Sequence, residues 1–557
     1  MDKAVSVWAQ VRSAIERERS SGFLSRWLFL RLIGIIYLIA FISLWTQIDG
    51  LVGHNGILPV RDHLKAGSEQ MGPERFWWMP TLCWLNTGDG FLHLQCGAGA
   101  VLALLLIAGV APILDLAFLW VIYLSLSTVC ADFLGFQWDI LLLETGFLAI
   151  FLAPRQCVPK FSVEKAPSLT VLWLLRWLLF RLMFLSGAVK LLSKDESWWD
   201  LTALTFHYET QPLPTWVGWY AHQLPVWFQK LSVAIMFGIE LAAPALIFFG
   251  RRPRQIACGT FVLLMLLISL TGNYCFFNLL TVTLCVLLLD DALLLRWLPH
   301  SVAAFVSTRL PSPPAPPRAP VTFPSPPSRR ASVCASRRRD RAEAGGEGGI
   351  APLRRDGGWE GLGSWVRTCG VVLLAAFILL ISGTEALVRL SGARTLPQPL
   401  QGLLRWASPL RTINSYGLFA VMTTTRPEIV VEGSDDGRTW LPYEFKWKPG
   451  DLKRRPAFVA PHQPRLDWQM WFAALGDYRG NPWFVNLLVR LAQGAPEVLA
   501  LLENNPFPQK PPRYLRAVLF EYHFTDLATR HATGDWWRRE RKGLYCPELS
   551  LRQNSQN

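Results

Sequence analysis

The chain has 557 residues, 51% of them apolar and only 17% charged, with 55 Lys+Arg against 41 Asp+Glu for a net charge of +14. A soluble domain of ordinary composition carries about a quarter charged residues, so this balance argues against an ordinary cytosolic enzyme. A disordered or collagen-like chain is excluded too, because 12% of the residues are aromatic and Gly and Pro follow no period. The basic excess raises a nucleic-acid partner, which is judged by where the charge sits.

Residues 1–26 are amphipathic and mixed in charge, and no small-residue cleavage site follows the first apolar run, which ends IDGLVGHNG. That run is expected to be a retained signal-anchor. Crossing a hydrocarbon core of about 30 Å takes roughly 20 mostly apolar residues. Nine stretches approach that length: 27–47, 97–113, 114–131, 138–153, 169–192, 229–249, 255–271, 275–295 and 366–386. Only Ala111-Pro112 separates the second from the third and the fourth is short, so a count from seven to ten is admitted. The fold class expected is a multi-pass α-helical membrane bundle of about nine helices, followed by a C-terminal outer-side α+β domain. Eight helices lie in residues 27–300, with outer loops at 48–96 and 193–228, and the last crossing is 366–386.

Lys and Arg in short connections set orientation. With the N-terminus inside, the inner segments 1–26, 154–168, 250–255 and 309–355 are all positive and together carry +14. The outer loops 48–96 and 193–228 are both acidic, so nine crossings with an outer C-terminus are self-consistent. The charge thereby becomes a topology signal, and no nucleic-acid partner is expected.

Residues 301–365 are Pro- and Arg-rich (SRRASVCASRRRDRAEAGGEGG in part) and read as a disordered inner linker. Its Arg run suits a solvated topogenic loop, with anionic lipid as the other reading. Residues 397–557 change character. PEIVVEGSDDGRTWLPYEFKW reads as two strands around a Gly-Ser-Asp-Asp-Gly turn, RRPAFVAPHQ as a third, and RYLRAVLFEYHFTD as another. LDWQMWFAAL, PWFVNLLVRLAQG and APEVLALLENNPF read as helices. The ten cysteines hold no CxxC pair and no zinc spacing, so no metal is expected. Cys83 and Cys96 share one outer loop and are either a disulfide or two free thiols.

Ionisable groups inside a crossing are costly and mark either a site or paired neutralisation. The intramembrane polar set is Asp139, Glu144, Arg176, Arg181, Lys190, Glu240 and Asn273. Matching depths pairs Arg181 with Glu144 or Glu240, and Lys190 with Asp139 or an outer-loop acid. Just outside come Lys194, Asp195, Glu196, His207, Glu209 and His222, of which His207 and Glu209 are suited to acid/base chemistry.

At these residues a resemblance appears. QWDILLLETGFLAIFLAP (137–154), RWLLFRLMFLSGAVKLLS (176–193), DLTALTFHYETQPLPTW (200–216), LTGNYCFFNLLT (270–281), NSYGLF (414–419), YEFKWKPGD (443–451) and HQPRLDWQMWFAALG (462–476) resemble the lipase maturation factor family. The resemblance runs in order to WWRRERKGLY, and the Pro/Arg linker does not share it. It implies a multi-pass protein of the endoplasmic reticulum membrane that helps secreted lipases or related hydrolases fold and assemble, with a cytosolic N-terminus and a lumenal C-terminal domain. In a bacterium the same topology places that domain in the periplasm. The partners implied are those clients and membrane lipid, and no cofactor is expected. Trp440, Trp447, Trp468, Trp471, Trp483, Trp536 and Trp537 suit an interaction module or a core. Trp468, Trp471, Arg465 and Asp467 are the candidate client contacts.

More distantly, SGAVKLLSKDESWWDL is similar to the lysine segment of the vitamin K-dependent gamma-carboxylase family, with Lys190 at the matching position. That implies an alternative: a membrane enzyme using Lys190, His207 and Glu209 on a lipid-soluble cofactor. Asp139 and Glu144 stand where that family carries a functional histidine, which counts against carboxylation. A transporter ranks last, since no inverted repeat or broken helix pair is visible.

Overall fold

A computed structural model describes residues 22–161, 164–310, 358–391 and 397–550. The expected inner segment up to residue 21 and most of the expected linker, 311–357, lie outside them.

The first apolar run is helix α1, Phe23–Trp45. The next run splits in two, as the Ala-Pro break predicts: α2, Asp89–Ala108, stops at Gly109, whose φ of 86° closes a left-handed cap. Helix α3, Pro112–Cys130, restarts on a proline in its first turn, where no N–H is missed. Helix α4 is Gln137–Leu152 and α5 is Leu169–Leu192. In the loop after α5 lies α6, Ala203–Thr210. Helix α7, Val226–Phe237, continues through a π turn at Gly238–Ala242 and a 3-10 stretch at Ala243–Phe248. Then come α8, Arg251–Thr271, α9, Phe277–Val286, α10, Asp291–Trp297, and α11, Gly358–Ser391.

Among the described residues seven helices are long and apolar enough to cross a membrane, or eight if α9 and α10 make one span bent by 114°. That count lies within the expected seven to ten, and the remaining expected crossing, α4, falls below the length of the others. Helix α4 has only 16 residues, and Leu141, Leu142, Leu143 and Glu144 are fully buried, so it is walled by protein. The ends of the expected linker are also helical, at His300–Ser307 and from Gly358 onward.

Beyond a short helix α12, Gln398–Ala407, the chain builds an α+β domain. Its four-stranded sheet has the order β2-β1-β5-β6, with β1 Pro427–Ser434, β2 Leu441–Pro442, β5 Tyr514–Phe524 and β6 Trp537–Ser550. A smaller ladder joins β3, Glu444–Phe445, to β4, Leu502–Asn504. Strand β1 pairs antiparallel with β5, setting Ile429 opposite Leu519 and Val431 opposite Ala517. The turn after β1 forms because Asp436 Oδ1 accepts from the N–H groups of Arg438 (2.8 Å) and Thr439 (2.7 Å), with Gly437 at φ 69°. Helices α13, Arg465–Ala474, and α14, Pro482–Gln493, pack on this sheet, and buried residues of bundle and domain share one apolar core.

Two expected elements differ. RRPAFVAPHQ carries no strand, because the N–H groups of Val459 and Ala460 go to Asn273 Oδ1 at 2.7 and 3.0 Å instead of to a ladder. APEVLALLENNPF divides into one helical turn, Pro496–Leu499, and β4.

Candidate functional site

Three of the buried ion pairs among the described residues involve the expected intramembrane polar set. In the first, Arg181 meets Glu144, both of them essentially inaccessible to solvent. The second oxygen of Glu144 accepts from Tyr416 Oη at 2.7 Å, from the Asn414 N–H at 3.0 Å and from Asn414 Nδ2 at 3.1 Å, while Arg181 Nη1 donates to the Asn414 carbonyl at 2.9 Å. A charged pair in low dielectric is tolerable only when its remaining lone pairs and protons are also satisfied, and NSYGLF supplies those partners.

In the second pair, Lys190 Nζ donates to both Glu240 oxygens, at 2.9 and 2.6 Å. The depth matching had paired Lys190 with Asp139 or an outer-loop acid. The π turn brings Glu240 there instead, and Gly187 permits the approach: a Cβ on Gly187 would sit 2.9 Å from the Glu240 Cβ.

Asp139, the acid thus left over, forms the third pair. Arg465 reaches it bidentately from α13, with Nη1 to Oδ2 at 2.9 Å and Nη2 to Oδ1 at 3.0 Å, and Nη1 also donates to the Phe133 carbonyl at 2.7 Å. Both side chains are fully buried. Arg465 therefore joins the domain to the bundle.

The other client-contact candidates are interior as well, a correction to their reading as surface. Asp467 accepts from the N–H groups of Trp447 and Lys448 at 2.8 and 2.9 Å, and burial pushes its carboxyl up while those N–H groups hold it down. Trp471 Nε1 donates to the Thr210 carbonyl at 2.8 Å, and Trp468 packs edge-on to Trp138 at 4.8 Å between centroids. Trp483, Trp536 and Trp537 are buried too. The physical reason is common to all of them: large aromatic faces and short polar spacings suit a seam between two bodies as well as a surface.

Asn273 spans the same seam, its Nδ2 donating to Leu213 at 3.1 Å and Ala457 at 2.8 Å. Arg176 Nε donates to the Leu287 carbonyl at 3.1 Å and its guanidinium lies over Trp173. Arg426, which sequence reasoning missed, is fully buried, pairs with Glu428 at 2.8 Å and donates to the carbonyls of Glu209, Gln211 and Pro212. Glu428 is only two residues on, but the carbonyl partners come from the remote segment 209–212, which no local spacing announces. Cys83 and Cys96 are buried free thiols, with Gln95 Nε2 donating to Cys83 Sγ at 3.3 Å.

Of the three residues of the enzyme alternative, His207 lies near Lys190 and Glu209 points away. His207 faces Tyr274, its Nε2 3.1 Å from Oη, and burial followed by the nearby Lys190 charge lowers its pKa to about 4. Glu209 turns to the sheet, where it accepts from the Phe524 N–H at 2.9 Å and lies 3.4 Å from His523 and 3.9 Å from His222. A cavity of about 710 Å³ opens elsewhere, lined by Trp78, Met79, Phe136, Arg411 and Phe472. Among the described residues no His, Cys, Asp and Glu group could hold a metal ion.

The geometry is thus a bundle of apolar helices and a C-terminal domain clasped by paired charges, and comparison with known proteins recovers the same two bodies. Residues 24–296 match the lipase maturation factor transmembrane domain, and 412–547 match the lipase maturation factor C-terminal domain. Lipase maturation factor 2 of Gallus gallus is 40% identical, over 94% of this chain and 81% of its own. The chain belongs to the lipase maturation factor family. Lipase maturation factor 2 of Homo sapiens is 38% identical over 95% of this chain and 83% of its own. Lipase maturation factor 1 of Bos taurus is 33% identical over 96% and 90%. No solved structure matches. Within the family's division, Asp139 lies in the transmembrane domain and Arg465 in the C-terminal domain, so their pair bridges the two.

Proposed function

We propose that this chain is a membrane-bound maturation factor that promotes the folding and assembly of secreted lipases or related hydrolases, without chemistry of its own. The observation that carries the reading is family membership extending over both domains and their junction, since the relatives named lipase maturation factors align with nearly the whole chain. Lys190 is engaged by both Glu240 oxygens and His207 and Glu209 face apart, so no observation favours the carboxylase-like alternative.

The topology proposed is nine passes, counting the bent α9/α10 pair and the short α4, which at about 1.5 Å per residue reaches most of the way across. The N-terminus is then cytosolic and the C-terminal domain lumenal, in the endoplasmic reticulum membrane. Two measurements test this. In cells lacking their own maturation factors, expression of the chain should raise the secreted activity of a co-expressed lipase per unit mass of lipase, and unchanged specific activity for all lipases tried refutes the function. His531→Asn, beside Ala532 and Thr533 in the exposed helix Leu527–Thr533, creates a glycosylation acceptor that is modified only if the domain is lumenal.

A further inference from the structure

The sheet of the C-terminal domain has a free side. In the order β2-β1-β5-β6, strand β6 is terminal, and it runs for 14 residues. An edge strand leaves alternate N–H and C=O groups unpaired, ready to accept another strand. On β6, Arg538, Arg539, Glu540, Arg541 and Lys542 are consecutively exposed, so the strand's own side chains meet solvent on both faces.

The charge on this edge is specific. Lys542 is held by Glu521 at 2.8 Å and Glu540 at 3.1 Å. Arg539 donates to Tyr522 Oη at 3.0 Å and lies over Phe520. Arg538 and Arg541 form no ion pair within 4 Å among the described residues. This contrasts with Arg426 and Arg465 of the same domain, whose carboxylate partners are in place. A second copy of β6 would oppose arginine to arginine, and like charges across a ladder are unfavourable. Carboxylates on an added strand would meet cations instead.

We infer that β6 is a docking edge for an acidic, extended segment of a client protein, which adds to the sheet as a fifth strand. Backbone hydrogen bonds supply affinity, and Arg538 and Arg541 select carboxylate side chains on the two faces. This rests on the maturation-factor reading, which supplies the incompletely folded client. Segments of that kind are available before a client folds and withdrawn once it has folded, so release needs no energy source.

The full chain in nanodiscs is titrated with a short fluorescent peptide of alternating Val and Glu, with its Val/Lys counterpart, and with a Val/Glu peptide N-methylated along one edge. The expected result is binding of the Glu peptide roughly tenfold tighter than the Lys peptide and loss of binding on N-methylation. Arg538→Glu with Arg541→Glu, at exposed positions, should reverse the preference while leaving thermal unfolding unchanged. Equal binding of the two charged peptides overturns the proposal, and so does undiminished binding of the N-methylated one. In the secretion assay the double variant should lower active lipase yield. If it loses the peptide yet matures lipase normally, the client assignment of this edge fails and the maturation reading stands. If the wild-type chain binds the peptide but raises no lipase's activity, the maturation reading fails and the acidic-strand edge stands.

Discussion

The two sides of the C-terminal domain use arginine in opposite ways. At its base, Arg465 and Arg426 are fully buried, each with a carboxylate and backbone carbonyls as partners. At its free edge, Arg538 and Arg541 stand in solvent. Burial decides which role is available. A desolvated guanidinium must be matched within the fold, and once matched it holds two bodies in register. A solvated one costs little to leave unmatched and stays available to a partner.

The comparison breaks most readily at Arg465→Ala. It would leave Asp139 buried without its cation, a loss of about 3–5 kcal/mol, read as a lower melting temperature of the full chain in detergent. Adding Asp139→Asn should recover part of it. Inside the bundle, Glu240→Gln should destabilise by a somewhat smaller amount, of the order of 3 kcal/mol, because Lys190 keeps an amide oxygen. Lys190→Met with Glu240→Leu should instead fall near the parent, and would also support lipase maturation if the pair is purely structural.

A third effect is read by pH. His207 is held neutral in the fold, its pKa lowered from 6.5 to about 4 by burial and then by Lys190, so the unfolded chain takes up the proton first. Its contribution is complete above about 6.5 and is lost as pH falls toward 4. His207→Gln should flatten that part of the stability profile. The smallest effect belongs to the edge: Arg541→Ala should change stability by less than about 0.5 kcal/mol while weakening acidic-peptide binding, which separates recognition from architecture.

How much of this was legible in the sequence depended on the range of each interaction. Residues 169–192 were bounded as helix α5 spans them, because apolarity is a local signal. Arg181 with Glu144 is one of the two pairings that depth along adjacent helices allows. Arg465 with Asp139 did not, since no periodicity connects positions 326 residues apart in different domains. Strand β6 was not read because Arg538 to Lys542 lack the apolar alternation of a half-buried strand, and that lack reflects an edge wet on both faces. For Trp468 and Trp471 the sequence leaves client contact and core both open, because aromatic composition does not distinguish a client interface from an internal seam.

The span between Asp139 and Arg465 also sets a schedule. At roughly 5–20 residues per second, the 326 intervening residues take between about a quarter of a minute and a minute to synthesise. For that interval α4 must hold its carboxylate without the arginine that will neutralise it, and Glu144 waits similarly for Asn414 and Tyr416. A factor for the maturation of other proteins thus completes its own polar core only once residue 465 of 557 has been made. A ribosome stalled before position 465 would leave an inserted bundle whose Asp139 lacks its guanidinium partner.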